Sequence, residues 1–282
     1  TRQVSSAASD VYKRQPVLLG NKAMIETLKN KLDYGAKVEI IDPKDDSYQP
    51  LREKYAKLFW KAQQRKGYTL YDAERLMSER NYFAAMMVQN GDADAMISGY
   101  SRNYPTVVKP ILEIIPRAKG VRRVAATNLM LTKRGPIFLS DTTINVEPNA
   151  KELATIAKMT AKTVAMFGIK PVLGMLSFSN FGSTRFPQAK KVSQAVKLLH
   201  RTNPELIVDG PIQSDFAFNK KLLEERFPFS GLSNKNVNTL IFPNLDAANI
   251  TYKLMKELNE NLSIGPILMG LSEPIPVSYT HL

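Results

Sequence analysis

Short apolar runs closed by Gly or Pro alternate along this chain with longer stretches of helical period. That alternation narrows the fold more than any other feature. Pro16–Gly20, Lys37–Asp42, Ala95–Gly99, Val121–Thr127, Ile137–Leu139, Pro171–Phe178, Leu206–Val208, Thr239–Phe242 and Ile267–Met269 read as strands. Between them the apolar spacing turns helical. Asn21 caps a helix to about Leu32, and Leu51–Arg65 places Leu51, Tyr55, Leu58, Phe59 and Ala62 on one face, with Gly67 closing it. Thr69 opens another helix with Asp72 positioned for a capping box, and Asn81–Asn90 follows as an apolar helix. Asn149–Phe167 carries Leu153, Ile156, Ala157, Thr160, Val164 and Phe167 on one stripe before Gly168. Gln188–Leu199 and Asp246–Leu258 complete the helices. Strands separated by helices of about 10–15 residues predict an α/β chain with mostly parallel sheets.

The length, 282 residues, fits one large or two modest domains. With 44% apolar and 23% charged residues the chain has the make-up of a folded globular protein. The absence of Cys excludes a disulfide framework, a zinc ribbon and a Cys nucleophile. His200 and His281 are the two histidines, so a multi-His metal site within one chain is excluded and no metal ligands are assigned. No apolar run approaches the ~20 residues of a membrane span. No membrane partner is therefore expected, and a cytoplasmic location is. The net charge of +13 suits a solvated basic surface or a phosphate-bearing ligand. No RNA-recognition or zinc-finger signature accompanies it, so nucleic acid is not the expected partner. The ends differ from the rest. Residues 1–15 show no clean period, and 277–282 follow a Pro-Ile-Pro segment with no capping logic. Both resemble translated adapter read-through and are expected to be non-native tails.

In open α/β sheets ligands bind beyond the carboxyl ends of strands, beside helix N-termini. Four loops obey that rule: Ser98–Thr106 leading to Lys109, Ser177–Ser183, Val208–Asp215 and Phe242–Asn249. Hydroxyls, amides and a cation there can hold an anion. Asp209, Asp215 and Asp246 could each act as a base, although a capping or turn role explains each of them. Trp60, Met86 and Met87 fall on apolar helix faces and read as core. His200 near a helix C-terminus is explained by the helix dipole. Neither a Walker loop nor a GxGxxG motif is present. The residues alone thus yield an α/β protein with an anionic-ligand cleft.

Taken in order, seven segments resemble the phosphate acetyltransferase and butyryltransferase family. They are Arg65–Leu70, Tyr82–Met87, Gly91–Ala95, Met175–Ser183, Val208–Ala217, Asn238–Lys253 and Gly265–Pro274. A closer likeness, in Gly99–Pro110, Arg123–Asn145 and Phe242–Asn259, is to the C-terminal transacetylase-like domain of large bacterial NADP-dependent malic enzymes. The resemblance implies a two-lobed isocitrate/isopropylmalate dehydrogenase-like fold, here truncated at both ends. Its lobes would be 16–119 with 266–276, and 120–265.

The resemblance also implies acetyl-CoA as ligand and regulation of malate decarboxylation, without acetyl transfer by this domain. The ligand would lie near Arg65, Ser98, Thr106, Lys109, Ser177, Ser179, Asn180, Ser183, Asn244, Asn249 and Lys253. The fragment would bind no cofactor itself. NADP and a divalent metal (Mg or Mn) would belong to an upstream malic enzyme domain, its partner in the parent chain, and the assembly would be a homo-oligomer. Active transacetylases of the family carry arginines where this chain has Gln63 and Lys109, and a loop lysine where it has Phe181. The family's catalytic aspartate follows a Ser-Arg-Gly motif that would lie beyond Pro274, so no catalytic residue is assigned. Two rival readings remain. One is an active phosphate acetyltransferase, which that motif would identify. The other is a basic nucleic-acid-binding module, which salt-sensitive DNA retention would identify.

Overall fold

The computed structural model describes residues 15–99, 104–259 and 262–272. The chain divides into two compact units, the first containing 15–96 and 105–116 and the second the remainder.

The first unit opens with a parallel pair, β1 (Val17–Leu19) and β2 (Glu39–Ile41), joined through α1 (Lys22–Lys31). Asn21 caps α1 by accepting a hydrogen bond from Met24 N. The helices α2 (Gln49–Gln63), α3 (Leu70–Met77), α4 (Arg80–Gln89) and α5 (Tyr104–Ile114) follow. The Thr69–Asp72 capping box is formed, and Gly67 closes the preceding turn at φ 93°. The core is aromatic, with Tyr55, Phe59 and Phe83 almost inaccessible and Tyr55–Phe83 ring centroids 5.2 Å apart, edge to face. Every residue of α4 from Asn81 to Val88 is buried, so this helix runs through the core with no solvent face.

The second unit is built on six strands: β3 (Ala125–Thr132), β4 (Gly135–Ser140), β5 (Val172–Leu176), β6 (Ile207–Ile212), β7 (Thr239–Ile241) and β8 (Leu262–Met269). Their order is β6-β5-β7-β4-β3-β8. The β6-β5-β7-β4 half is parallel, whereas β3 runs antiparallel to both β4 and β8. The helices are α6 (Ala150–Met166), α7 (Pro187–Thr202), α8 (Ser214–Phe218), α9 (Lys220–Arg226) and α10 (Leu245–Asn259). Alternation along β5 assigns the two faces. Leu173 and Met175 pack with Leu153, Ile156, Val192 and Leu199 of α6 and α7. Val172 and Leu176 pack with Ala217, Leu223, Ala248 and Tyr252 of α8, α9 and α10. Burial of each large aliphatic side chain contributes roughly 1.5–3 kcal/mol, so both faces anchor the sheet. Among the described residues no helix is long and apolar enough to cross a membrane.

Three sequence expectations need correction. Ala95–Gly99 is not a strand: only Ser98 makes a bridge, and Ile97 is exposed, because the chain passes from one unit to the other there. The strand expected at Val121–Thr127 starts at Ala125 and runs to Thr132, where the turn at Gly135 folds it onto β4. The sheet is mixed at that end, since a tight turn permits only antiparallel pairing. Residues 266–272, expected with the first lobe, lie in the second unit, where β8 pairs with β3. Residues 1–14 of the expected tail 1–15, the whole expected tail 277–282, and residues 100–103, 260–261 and 273–276 lie outside the described residues.

Candidate functional site

The carboxyl ends of β5 and β7 and the starts of α8 and α10 surround a cavity of about 780 Å³ in the second unit. Ser177 and Phe178 reach it from β5, Ser214 and Asp215 from α8, and Pro243 and Asn244 from β7. Lys191 enters from α7, Arg134 from the β3–β4 turn, and Thr251 and Met255 from α10. The volume falls within the range typical of small-molecule sites. Its position matches the rule for open α/β sheets.

Backbone and amide hydrogen bonds set the loop that follows β5. Ser177 N donates to Ile212 O at 3.0 Å and Phe181 N to Pro211 O at 2.8 Å. Asn180 is fully engaged: its Nδ2 donates to Gln213 Oε1 at 2.6 Å, and its Oδ1 accepts from Gln213 N at 2.7 Å. Gln213 Nε2 donates in turn to Phe178 O at 2.9 Å. Asn180 therefore shapes the loop, and Ser177 and Phe178 face the cavity. Ser183 is exposed, its N–H bonded to Asn180 O. Ser179 is buried, and its Oγ has no protein partner among the described residues.

Other predicted residues fall into distinct roles. Asn244 caps α10, its Oδ1 accepting from Ala247 N at 3.0 Å, and it also lines the cavity. Asn249 Nδ2 donates to Thr142 O at 3.1 Å, tying α10 to the loop after β4. Lys253 is exposed, with Nζ 5.7 Å from the centre of the Tyr252 ring. Asp209 is a turn carboxylate: it accepts from Gly210 N, and from Ser230 Oγ and Gly231 N at 2.9 Å. His200 donates from its ring to Val208 O at 2.8 Å. The cavity thus gathers Ser177 and Asn244 of the predicted set, with Asp215 from the alternatives. Arg65, Thr106 and Lys109 lie in the first unit, and Ser98 in the second.

Two residues escaped the sequence reading. Lys191 lies mid-helix on α7, and its Nζ contacts the Glu147 carboxylate and donates to Pro243 O at 3.0 Å. Its partners are remote in sequence, so no local signal marks it. Asp141, just after β4, is almost fully buried. It accepts from Thr143 N and Asn145 N at 3.0 Å, from Ile144 N at 3.2 Å and from Ala126 N at 3.3 Å, besides Asn145 Nδ2. Burial pushes its carboxyl above the ordinary range, and the bonds from Thr143, Asn145 and Ile144 oppose that shift. A usable signal existed, since Asp directly after an apolar strand and before Thr-Thr-Ile-Asn is where a carboxylate folds a turn around itself.

In the first unit the polar side chains close on one another. Glu113 accepts from Tyr82 Oη at 2.6 Å and Tyr68 Oη at 2.9 Å, and Lys109 Nζ stands 3.9 Å from it. Burial, then the Glu113 carboxylate, pushes both phenols above their usual range. Gln63 is buried with its Nε2 donating to Glu113 O. Arg65 is exposed, in the turn between α2 and α3. No group of three or more His, Cys, Asp or Glu among the described residues is placed to hold a metal.

Comparison with known proteins adds the family context. A family model described as phosphate acetyl/butaryl transferase matches residues 2–278. The NADP-dependent malic enzyme of Escherichia coli (strain K12) is 36% identical over 269 residues, covering 93% of this chain and 35% of that protein. The phosphate acetyltransferase of a Synechocystis strain is 36% identical over 261 residues, covering 92% of this chain and 37% of that protein. The chain thus spans about a third of the length of these curated relatives. Among solved structures, a phosphotransacetylase from Streptococcus pyogenes is similar with TM-score 0.82 and 32% identity, over 99% of this chain and 85% of that one. The EutD phosphotransacetylase from Staphylococcus aureus gives TM-score 0.81 at 31% identity, over 99% and 86%.

Proposed function

The chain belongs to the phosphate acetyl/butaryl transferase family, and from that premise we propose that it is an acetyl-CoA-binding regulatory domain of an NADP-dependent malic enzyme. What carries this reading is the state of three positions where the family resemblance implies anion-handling cations. Gln63 is uncharged, buried and donates to Glu113 O. Lys109 replaces a planar guanidinium and faces Glu113. Phe181 packs its ring against Phe227 and Phe229, with centroids 4.9 and 5.2 Å away. The planar fork that grips an acyl phosphate bidentately is missing at the first two places, and the cation at the third. Binding of a thioester ligand demands less, because it needs shape and polar contacts but no stabilised transition state.

On this reading the second-unit cavity receives part of acetyl-CoA. Ser177 and Asn244 bond its polar groups there, on loops that Asn180 and Asn249 hold in place. Ser98, Ser179 and Ser183 of the same unit supply further polar contacts. Lys253, exposed on the same unit, attracts its phosphates. Malate decarboxylation, NADP and a divalent metal belong to a separate malic enzyme domain of a homo-oligomeric, cytoplasmic parent. The 31–32% identity to solved phosphotransacetylases supports the second reading, an active phosphate acetyltransferase.

The test uses the parent chain with both domains. Acetyl-CoA should bind saturably in calorimetry and lower malate turnover. Lys253→Glu should weaken binding about tenfold, through reversal of one charge near a phosphate. Malate turnover that stays constant across a saturating titration rejects regulation. Formation of acetyl-CoA from acetyl phosphate and CoA would establish the transferase instead.

A further inference from the structure

The second unit holds another, smaller cavity of about 290 Å³, at the amino ends of β4 and β7. Arg134 from the β3–β4 turn, Lys220 from the start of α9, and Lys235, Asn236 and Asn238 before β7 line it, together with Phe218. Three cations and two carboxamides face this space, and none of its walls is a carboxylate. Among the described residues none of the three cations pairs with an acid. Arg134 donates through Nη1 to Phe218 O at 2.9 Å, and its guanidinium lies 5.7 Å from the Phe218 ring centre. Lys235 Nζ donates to Gly231 O at 2.9 Å.

We propose that this cavity binds a small, multiply charged anion of the phosphate class, at a site separate from the loops beyond the carboxyl ends of the strands. Cations of one sign gathered in a concavity focus the field and raise the local concentration of counter-ions. The contacts with Phe218 hold the Arg134 guanidinium in one orientation. Less side-chain freedom is then lost when its remaining N–H groups take up two oxygens of a tetrahedral anion. Lys220 and Lys235 add two point charges. Asn238 forms a rigid wall, since its Nδ2 donates to Lys170 O at 2.8 Å and its Oδ1 accepts from Val172 N at 3.0 Å. The volume suits phosphate or a small phosphorylated acid and is at the lower limit for larger ligands. Arg134 and Phe218 line both cavities, so occupancy of one is placed to be felt in the other.

The probe is inorganic phosphate, titrated into the full chain while backbone amides are followed by NMR. Saturable shifts at Gly135 and Asn236–Asn238 are expected. Lys220→Glu combined with Lys235→Glu should weaken that response at least about tenfold, while any response at Ser177–Ser183 persists. Both lysines are exposed, so the double variant should keep the amide spectrum of the fold. Equal affinity in the double variant would overturn the proposal. Equal shifts from chloride at matched ionic strength would overturn it too, as they would reveal general screening alone.

Discussion

A carboxylate in each unit shows how differently the two are built. In the first, Asp92 is on the surface and accepts from Tyr55 Oη at 2.6 Å and Asn90 Nδ2 at 2.8 Å. Glu113 closes on Tyr68 and Tyr82 in the same way. Side chain meets side chain, and the polar groups are used up internally. In the second unit Asp141 is buried and gathers four backbone N–H groups. It folds a loop around itself at the end of β4. Asn180 and Asn244 do similar work after β5 and β7. Their bonds fix backbone, which leaves Ser177, Lys191 and Asp215 lining a cavity. Polar residues that satisfy each other make a core. Polar residues that satisfy the backbone make loops with other side chains left to face a ligand.

The largest expected effect comes from breaking the second arrangement at its frame. Gly210 in β6 has φ 146°, and a Cβ there would be 2.5 Å from Met175 O and 2.9 Å from Met175 Cβ on β5. Gly210→Ala must separate these paired strands where their ends support the cavity. A loss of about 3 kcal/mol or more is expected, from strain and lost pairing together. For a chain of this size that is a fall in Tm on the order of 10 °C. Calorimetry measures it, and a shift of only a degree or two would show that the strand edge gives easily.

The comparison also separates what was legible in the sequence from what was not. Helix limits were readable because caps are local: Asn21, Thr69 with Asp72, and Asn149 with Glu152 each bond within three residues. Strand positions were mostly readable from apolar runs, but partners were not, since β8 and β3 meet across more than a hundred residues. The short helices α8 and α9 are too brief to carry a period. Three of the four loops singled out in the sequence contribute residues to the candidate cavity. Which side chains remain for a ligand depends on bonds such as Asn180 to Gln213 and Lys191 to Pro243, and these form only in the folded chain. Ala95–Gly99 misled because an apolar run at a crossing between units looks like a buried strand.

A smaller effect should follow from opening the closed cluster of the first unit. Glu113→Ala leaves the hydroxyls of Tyr68 and Tyr82 without their acceptor. The expected loss is about 2 kcal/mol, because Tyr82 is buried and its unmet donor bears the desolvation penalty. Tyr82→Phe in the Glu113→Ala background should recover part of that loss. Urea unfolding of the two single variants and the double variant measures the coupling. Strict additivity would mean that the cluster does not act as a unit.

The smallest effect has the most diagnostic sign. The Tyr55 hydroxyl, with Asn90 and Lys54 behind it, holds the Asp92 carboxyl below the usual carboxylate range. A lowered folded value stabilises above the unfolded pKa of about 3.9, and that contribution is lost as pH falls through the folded value. Wild type should therefore lose its advantage over Asp92→Asn as the solution is acidified from neutral to about pH 3. Asp92 is well exposed, so solvent screening keeps the change small. Burial moves Asp141 the other way. A raised folded value stabilises below the unfolded pKa, and the contribution is lost as pH rises through the folded value. Across the same acid range wild type should gain on Asp141→Asn. Unfolding titrations of the three proteins at several pH values measure both slopes. Opposite signs are the expected result. Like signs would mean that the hydrogen bonds around Asp141 outweigh its burial, and the two carboxylates would then differ in geometry but not in electrostatics.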